Sequence, residues 1–280
     1  MEKSSFLSST RCLNCGTSVQ GNFCQKCGQH IRDNSDRSLS RLLGEFVSNA
    51  FFLDNRFFLS VWYLVRFPSR MTVEFLEGKR RKFISPITLF LFFNLIYFLV
   101  NPLTDYSLSL YDQAYSQPYS RWTNQWVESK LQKEELSEQT YAITYQNMSD
   151  DVSKSIMILN VPMIAVFVYL MAFKKRPFYF DSLIFSLHFF TLFMVSWVML
   201  DWAGILLNFL AVDEDSIILT IFFNLFLMAI PLLYAILGTR RFLRVRWYWA
   251  IPAGLGVMLS VGLANFFYRF IIFIITFWLT

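Results

Sequence analysis

The chain has 280 residues and a formal net charge of +5, and 55% of its residues are hydrophobic, 19% aromatic and only 16% charged. A soluble domain of this length cannot bury so much apolar surface. The composition therefore excludes a soluble globular protein and predicts an all-α polytopic membrane protein whose first partner is the lipid bilayer. The first 37 residues hold five bases and three acids. That charge is too dilute for a nucleic-acid-binding patch, so no nucleic acid partner is expected.

The first predicted element is a zinc ribbon at residues 1–32. The cysteines of the chain form two Cys-x2-Cys pairs: Cys12, Cys15, Cys24 and Cys27. Two such pairs supply the four tetrahedral ligands of a structural zinc site. The glycine after each pair, Gly16 or Gly28, lets backbone amides turn toward the sulfurs. We expect a short hairpin that needs structural Zn2+ in order to fold. Four thiolates leave no open position on the metal, so His30 is not an expected ligand.

Two disulfides or a redox-active dithiol are the alternatives to a metal at these cysteines. Disulfides require an oxidising compartment. Residues 1–29 contain no apolar run longer than two residues, so we expect no cleavable signal peptide. The spacing and the expected compartment both favour zinc in a cytoplasmic module.

Residues 33–83 are predicted to form amphipathic, membrane-proximal helices in the cytoplasm. A helix over 38–50 has one apolar stripe, a second runs over 55–67 up to a proline, and a third runs over 69–77 up to a glycine. All three are too short or too polar to cross a bilayer. They either pack on the cytoplasmic ends of the membrane helices, near anionic lipid, or form a docking surface for a partner.

Residues 84–280 are predicted to form a transmembrane helical domain. Five apolar stretches are long enough for the hydrocarbon core: 84–100, 156–173, 183–200, 217–237 and 249–268. The third and fifth runs continue past Asp201 and Arg269, so we expect long, tilted helices there. The segment 101–155 is predicted to lie outside the membrane and to be helical over 120–148.

The basic residues between the spans predict the orientation of the chain. Lys and Arg cluster at 79–82, 174–176 and 240–246, whereas 201–216 has none and 101–155 has eight acids against four bases. The positive-inside rule therefore predicts a cytoplasmic N-terminus and an external C-terminus. The cysteines then lie in a reducing compartment, as free thiolates require.

Ionisable side chains within the predicted spans are few. We expect His188 to hydrogen-bond between helices, Asp201 to lie at the outer interface, and Arg269 to extend to the outer surface. The sequence contains no His-Glu-x-x-His, Gly-x-Ser-x-Gly or Gly-x4-Gly-Lys motif. An enzyme is therefore not expected.

Several short motifs in the first 90 residues resemble bacterial membrane proteins of the domain of unknown function 3667 family. They are Phe51 to Phe57, Arg66-Phe67-Pro68, Glu77 to Phe83, Ser85-Pro86, and the ribbon runs Cys12 to Gly16 and Phe23 to Gln29. This chain has Ser69 where the family usually has glycine, and Phe83 where it usually has tyrosine. The resemblance implies an N-terminal zinc ribbon followed by membrane helices in the bacterial inner membrane. The family has no established activity, so the resemblance implies no function.

Three functional hypotheses follow. The leading one is a non-enzymatic scaffold or sensor whose ribbon and amphipathic helices engage a cytoplasmic protein partner. The alternative is a subunit of a small-solute transporter or channel, with a homo-oligomer forming the pore or with a path lined by Asn94, Asn160, His188 and Asn224. The third is an enzyme at the outer face that uses Asp201.

Overall fold

The computed structural model describes residues 10–30, 55–100, 108–172, 174–176, 178–209 and 217–280. Within these ranges the chain is mostly helical, and its two strands belong to the cysteine-containing segment. The amphipathic helix predicted at 38–50 lies outside the described residues. So do residues 101–107, at the start of the segment predicted to be external.

The cysteine-containing segment, which we call the ribbon, is built on a minimal hairpin. Strands β1, Thr10–Arg11, and β2, Ser18–Val19, pair antiparallel, with Thr10 opposite Val19. A single antiparallel bridge between Phe23 and His30 closes the second cysteine loop. Few apolar side chains are buried here besides the cysteines. The hairpin is therefore too small to fold on apolar burial alone.

Two short helices follow at the predicted places. Helix α1 spans Asn55–Arg66 and helix α2 spans Arg70–Leu76. Proline cannot continue a helix, and the next residue, Ser69, has a φ of +53°, so the chain turns sharply between them. Gly78, with a φ of +97°, ends the second helix in a conformation that side chains rarely adopt. The sequence predictions for both helices are confirmed.

The remaining helices are longer. They are α3 (Pro86–Val100), α4 (Ser120–Glu134), α5 (Glu138–Ile156), α6 (Asn160–Ala172), α7 (Tyr179–Phe209), α8 (Ile217–Leu243) and α9 (Trp247–Leu279). A π-helical turn at Asp112–Ser116 precedes α4, and a single 3-10 turn at Met157–Leu159 joins α5 to α6.

Three stretches among the described residues are long and apolar enough to cross a membrane: 138–172, 179–199 and 247–279. The predicted count of five spans is not confirmed. Helix α3 is apolar but short, because 15 residues at 1.5 Å each reach about 22 Å against a hydrocarbon core of about 30 Å. In α8 most side chains before residue 229 are outside the description.

The described residues form two compact units, one from 1–97 and 165–258 and the other from 98–164 and 259–280. In the first unit, phenylalanines of α7 stack on one another and on Phe242 of α8. In the second unit, the end of α9 packs against α4 and α5 around the fully buried Phe273.

The second unit explains one difference from the sequence predictions and the length of α9. The helix expected over 120–148 is broken at Glu135, where φ is +52°, and it restarts at Ser137, whose hydroxyl caps the amide of Thr140 at 3.2 Å. Helix α9 continues past Arg269 to Leu279, as the long apolar run predicted, and its last turns are held in this unit. Lys130 donates a 3.0 Å hydrogen bond to the carbonyl of Phe277.

Candidate metal centre and its attachment

The four cysteine sulfurs of the ribbon form one compact cluster. All four lie within 4.8 Å of one another, with Cys12 and Cys27 at 3.6 Å and Cys15 and Cys24 at 3.5 Å. A disulfide needs a sulfur–sulfur distance of about 2.05 Å, so none of these pairs is oxidised. The four thiols therefore form a donor set that could hold a metal ion.

The two cysteine loops repeat the same backbone geometry with an offset of 12 residues. In the first loop the amide of Cys12 donates to the carbonyl of Thr17, and in the second the amide of Cys24 donates to the carbonyl of Gln29, both at 2.8 Å. The amides of the following glycines close each turn at 2.8 Å, and both glycines have a positive φ. Two equivalent turns thus present two sulfurs each to a common centre.

The surroundings shift the pKa values of two of the thiols in opposite directions. Burial raises the pKa of the Cys12 thiol to about 11. A hydrogen bond with the Thr17 hydroxyl, at 3.4 Å, lowers the pKa of Cys15 to about 6. The surroundings thus favour the thiolate form at Cys15 and the thiol form at Cys12, which would have to release its proton on binding a metal ion.

The ribbon is attached to the loop after α2 by reciprocal contacts. The side-chain amide of Gln29 donates a 2.6 Å hydrogen bond to the carbonyl of Gly78, and the guanidinium of Arg81 donates a 3.2 Å bond to the carbonyl of Gly28. Leu13 lies directly over Gly78, so a β-carbon added there would come within 2.6 Å of a Leu13 methyl group. Only glycine fits at position 78 without moving the ribbon.

An ion cluster stabilises the same loop. The buried carboxylate of Glu74 accepts hydrogen bonds from Lys82 at 2.6 Å and from Arg70 at 2.9 Å. Burial alone would raise the pKa of Glu74, but these two hydrogen bonds outweigh it and hold the pKa below its usual value. Lys82 also donates to the hydroxyl of Tyr63 at 3.0 Å. The cluster thereby ties α1, α2 and the basic loop together.

Helix α2 and its flanking residues are in turn joined to α7 and α8. Thr72 and Nδ1 of His188 lie 2.8 Å apart in the core, and the amide of Ser69 donates to the hydroxyl of Tyr234 at 3.3 Å. Arg241 donates to the carbonyl of the proline before α2 at 2.7 Å, and Arg244 pairs with Glu77 at 3.0 Å. The ribbon, α2 and two long helices therefore form one connected assembly.

The other residues singled out in the sequence do not converge on one site. His188 makes the expected bond between helices, and His30 packs its ring edge-on to Phe23 at 4.7 Å between centroids. The side-chain amide of Asn160 donates to the carbonyl of Met157 at 3.3 Å. The side chain of Asp201, and those of Asn208 and Asn224, are outside the described residues.

Sequence reasoning missed the residues that attach the ribbon. Gln29 and Gly78 are 49 residues apart in the chain. The only signal was that Gln29 and Gly78 both fall within the short motifs that carry the family resemblance.

Comparison with known proteins gives one match. Residues 54–98 match the family model described as a protein of unknown function, DUF3667. No curated protein and no solved structure matches the chain. The matched residues contain α1, α2, the loop at Gly78 and most of α3. The chain is thus similar to this family of unknown function over the segment that receives the ribbon.

Proposed function

We propose that this chain is a multi-pass bacterial inner-membrane protein of the DUF3667 family with a structural zinc ion in its ribbon. The ribbon and helices α1 and α2 form a cytoplasmic platform that engages a protein partner, and the long helices anchor the platform in the bilayer. The role is that of a non-enzymatic scaffold or sensor. The observation that carries the proposal is the reciprocal attachment of the ribbon to the loop at Gly78.

The geometry of the sulfur cluster supports zinc. Zinc–thiolate bonds of about 2.3 Å in a tetrahedron place the sulfurs about 3.8 Å apart. The distances of 3.5 and 3.6 Å between opposite loops are close to this value. Four sulfurs also suit iron, so the metal content of the purified protein is the direct test.

The chemistry of the cluster favours a structural metal over a catalytic one. A catalytic zinc ion keeps a position open for water or substrate. Four thiolates would fill the coordination sphere of the ion, with Cys12 and Cys24 buried. The metal would then fix the two cysteine turns and thereby hold Leu13 and Gln29 in place against the loop.

The distribution of charge supports the orientation. Arg241 and Arg244 follow the apolar part of α8 and contact the α2 region, which is continuous with the basic loop 79–82. Basic residues at the membrane boundary are typical of the cytoplasmic side. The test is to add a membrane-impermeant thiol reagent to intact cells. If the reagent labels the cysteines from outside, this orientation is wrong.

The role of the platform is tested by removing the metal ligands. The double variant Cys24→Ser, Cys27→Ser should lose zinc and lose the proteins that co-purify with the intact chain in the same detergent, while membrane insertion is retained. His30→Ala is the matched control, because His30 lies next to the cluster but is not one of its ligands. It should keep both zinc and partners. Unchanged partners in the cysteine variant would reject the platform.

A second variant tests the attachment of the ribbon without changing the metal ligands. Gln29→Ala removes the bond to Gly78 but leaves all four cysteines. It should keep zinc and weaken the association with partners if the partner recognises the assembled platform. Full retention of partners would mean that the ribbon alone, or another region, is recognised.

A further inference from the structure

Helix α1 presents an apolar face outward. Phe58, Trp62 and Val65 are 65%, 59% and 58% exposed, and their spacing of four and three residues places them on one side of the helix. Ser60 and Leu64, on the other side, are buried. A surface helix usually exposes its polar side, but the exposed side of this helix is at least as apolar as its buried side.

The exposed face borders a groove between α1 and α3. The groove has a volume of about 450 Å³ and is lined only by four phenylalanines, two valines and Trp62. Its floor is formed where the ring of Phe57 meets the ring of Phe92 edge-on, 4.6 Å between centroids. Such a volume suits a small ligand. Apart from the indole N–H of Trp62, the lining side chains are hydrocarbon, so an acyl chain suits the groove.

The groove is continuous with a surface that has the character of a membrane helix. Helix α3 carries no charged residue, and Leu95, one turn beyond the groove, is 58% exposed. Helix α1 has 12 residues and is about 18 Å long, too short to cross the hydrocarbon core. A short helix with an outward apolar face beside an apolar helix fits a position along the membrane surface.

The charges around the groove identify the headgroup. Residues 55–83 hold seven Lys or Arg and two Glu. Most of these bases already contact the protein, but Arg66, which directly follows the groove-lining Val65, is exposed and forms no ion pair with any described residue. Its guanidinium suits a phosphate at the membrane surface.

We infer that the groove between α1 and α3 binds one acyl chain of an anionic phospholipid, with the lipid phosphate at Arg66. The bound lipid then fixes α1 in the plane of the membrane surface. The inference rests on the proposed membrane location but not on the metal or on a protein partner.

The test is photo-crosslinking of the full-length protein in liposomes that contain a phospholipid with a diazirine in its acyl chain. Trypsin cuts after Arg56 and Arg66 and releases the groove face of α1 as the peptide 57–66, whereas peptide 176–240 contains the predicted spans of α7 and α8. We expect lipid adducts on both peptides. Trp62→Gln should lower the labelling of peptide 57–66 several-fold, and Trp122→Gln, at a 60% exposed tryptophan of α4, should not change it.

The headgroup is tested by comparing phosphatidylglycerol with phosphatidylcholine as the labelled lipid. A basic residue near the membrane surface contributes about 1 kcal/mol, which is about fivefold. Arg66→Gln should therefore lower the preference for the anionic lipid about fivefold, read on the longer peptide 57–70 that this variant yields.

Three results would overturn the inference in whole or in part. Labelling of 176–240 without labelling of 57–66 would mean that protein covers the groove, either residues 38–50 or a second copy of the chain. Absence of labelling from both peptides would overturn the membrane location as well. Equal labelling of both lipids by the wild-type protein would overturn the role of Arg66.

Discussion

Replacing Gly78 with alanine tests the attachment of the ribbon most directly. Two costs are expected. A left-handed backbone costs an L-residue about 1–2 kcal/mol, and Gly78 has a φ of +97°. The added β-carbon would also lie 2.6 Å from a methyl of Leu13 and 3.2 Å from its β-carbon. The methyl can rotate away but the β-carbon cannot, so we place the packing cost near the low end of the range for overpacking, about 1 kcal/mol.

The assay is the rate of limited trypsin cleavage after Lys79 and Arg80, which are half-buried and lie in the chain between Gly78 and Arg81, the two loop residues that bond the ribbon. When opening is fast, cleavage follows the population of the open form. Together the two costs weaken docking by about 2–3 kcal/mol, which should raise the cleavage rate about 30- to 150-fold. Zinc content should not change, because the four cysteines are intact.

Three further variants distinguish the backbone cost from the packing cost. Gly21→Ala is the matched control, since Gly21 has a φ of +103° with no atom within 4 Å of the added carbon, and it should not increase cleavage at the loop. Leu13→Ala should weaken docking by itself, but the double variant Leu13→Ala, Gly78→Ala should be no worse than Gly78→Ala alone. If the two effects add instead, Leu13 does not lie against Gly78 and the described attachment is wrong.

Three other predictions concern helices α2, α8 and α9. Ser69→Gly should raise the melting temperature in detergent by a few degrees, because it relieves about 1 kcal/mol of left-handed strain; an unchanged or lower melting temperature would contradict the assigned turn. Gly254→Ala should destabilise by about 1–3 kcal/mol, since its β-carbon would meet the backbone of α8 at 2.6 Å, whereas Gly262→Ala in the same helix meets nothing and should stabilise by about 0.5–1 kcal/mol; melting curves with the same sign for both would refute the close approach. Glu74→Gln should destabilise by about 1–3 kcal/mol at pH 7 by weakening the bond from Lys82. Because the pKa of Glu74 is lowered in the folded protein, that contribution is present above the unfolded pKa of about 4.3 and disappears as the pH falls through the folded value, so the gap between variant and wild type should narrow in acid.

Local chemistry explains which parts of the structure were predictable. The cysteine cluster follows from a spacing of three residues within each pair, and the ends of α1 and α2 follow from a proline and a glycine. The bond between Thr72 and His188 was expected only from the side of His188, because nothing near Thr72 in the chain marks it as a partner. Contacts across 49 or 116 residues depend on packing, which no local pattern encodes.

The structure explains why the residue type at position 69 matters for the turn before α2. In the sequence Ser69 is a polar residue at a position where the resemblance to the family leads us to expect glycine. In the structure its φ of +53° places it in the region where glycine has no steric penalty. Its amide is held by Tyr234 of α8, so the surrounding packing keeps the strained turn in place.

The ribbon and its loop exchange hydrogen bonds that each end on a main-chain carbonyl, at Gly28 and at Gly78. Carbonyl oxygens are present at every position and do not titrate at any physiological acidity. Acidification strong enough to protonate Glu74 would therefore loosen the Glu74 cluster without breaking these two bonds directly. A substitution on the surface around this junction would likewise be tolerated, provided that the backbone conformation at Gly28 and Gly78 does not change.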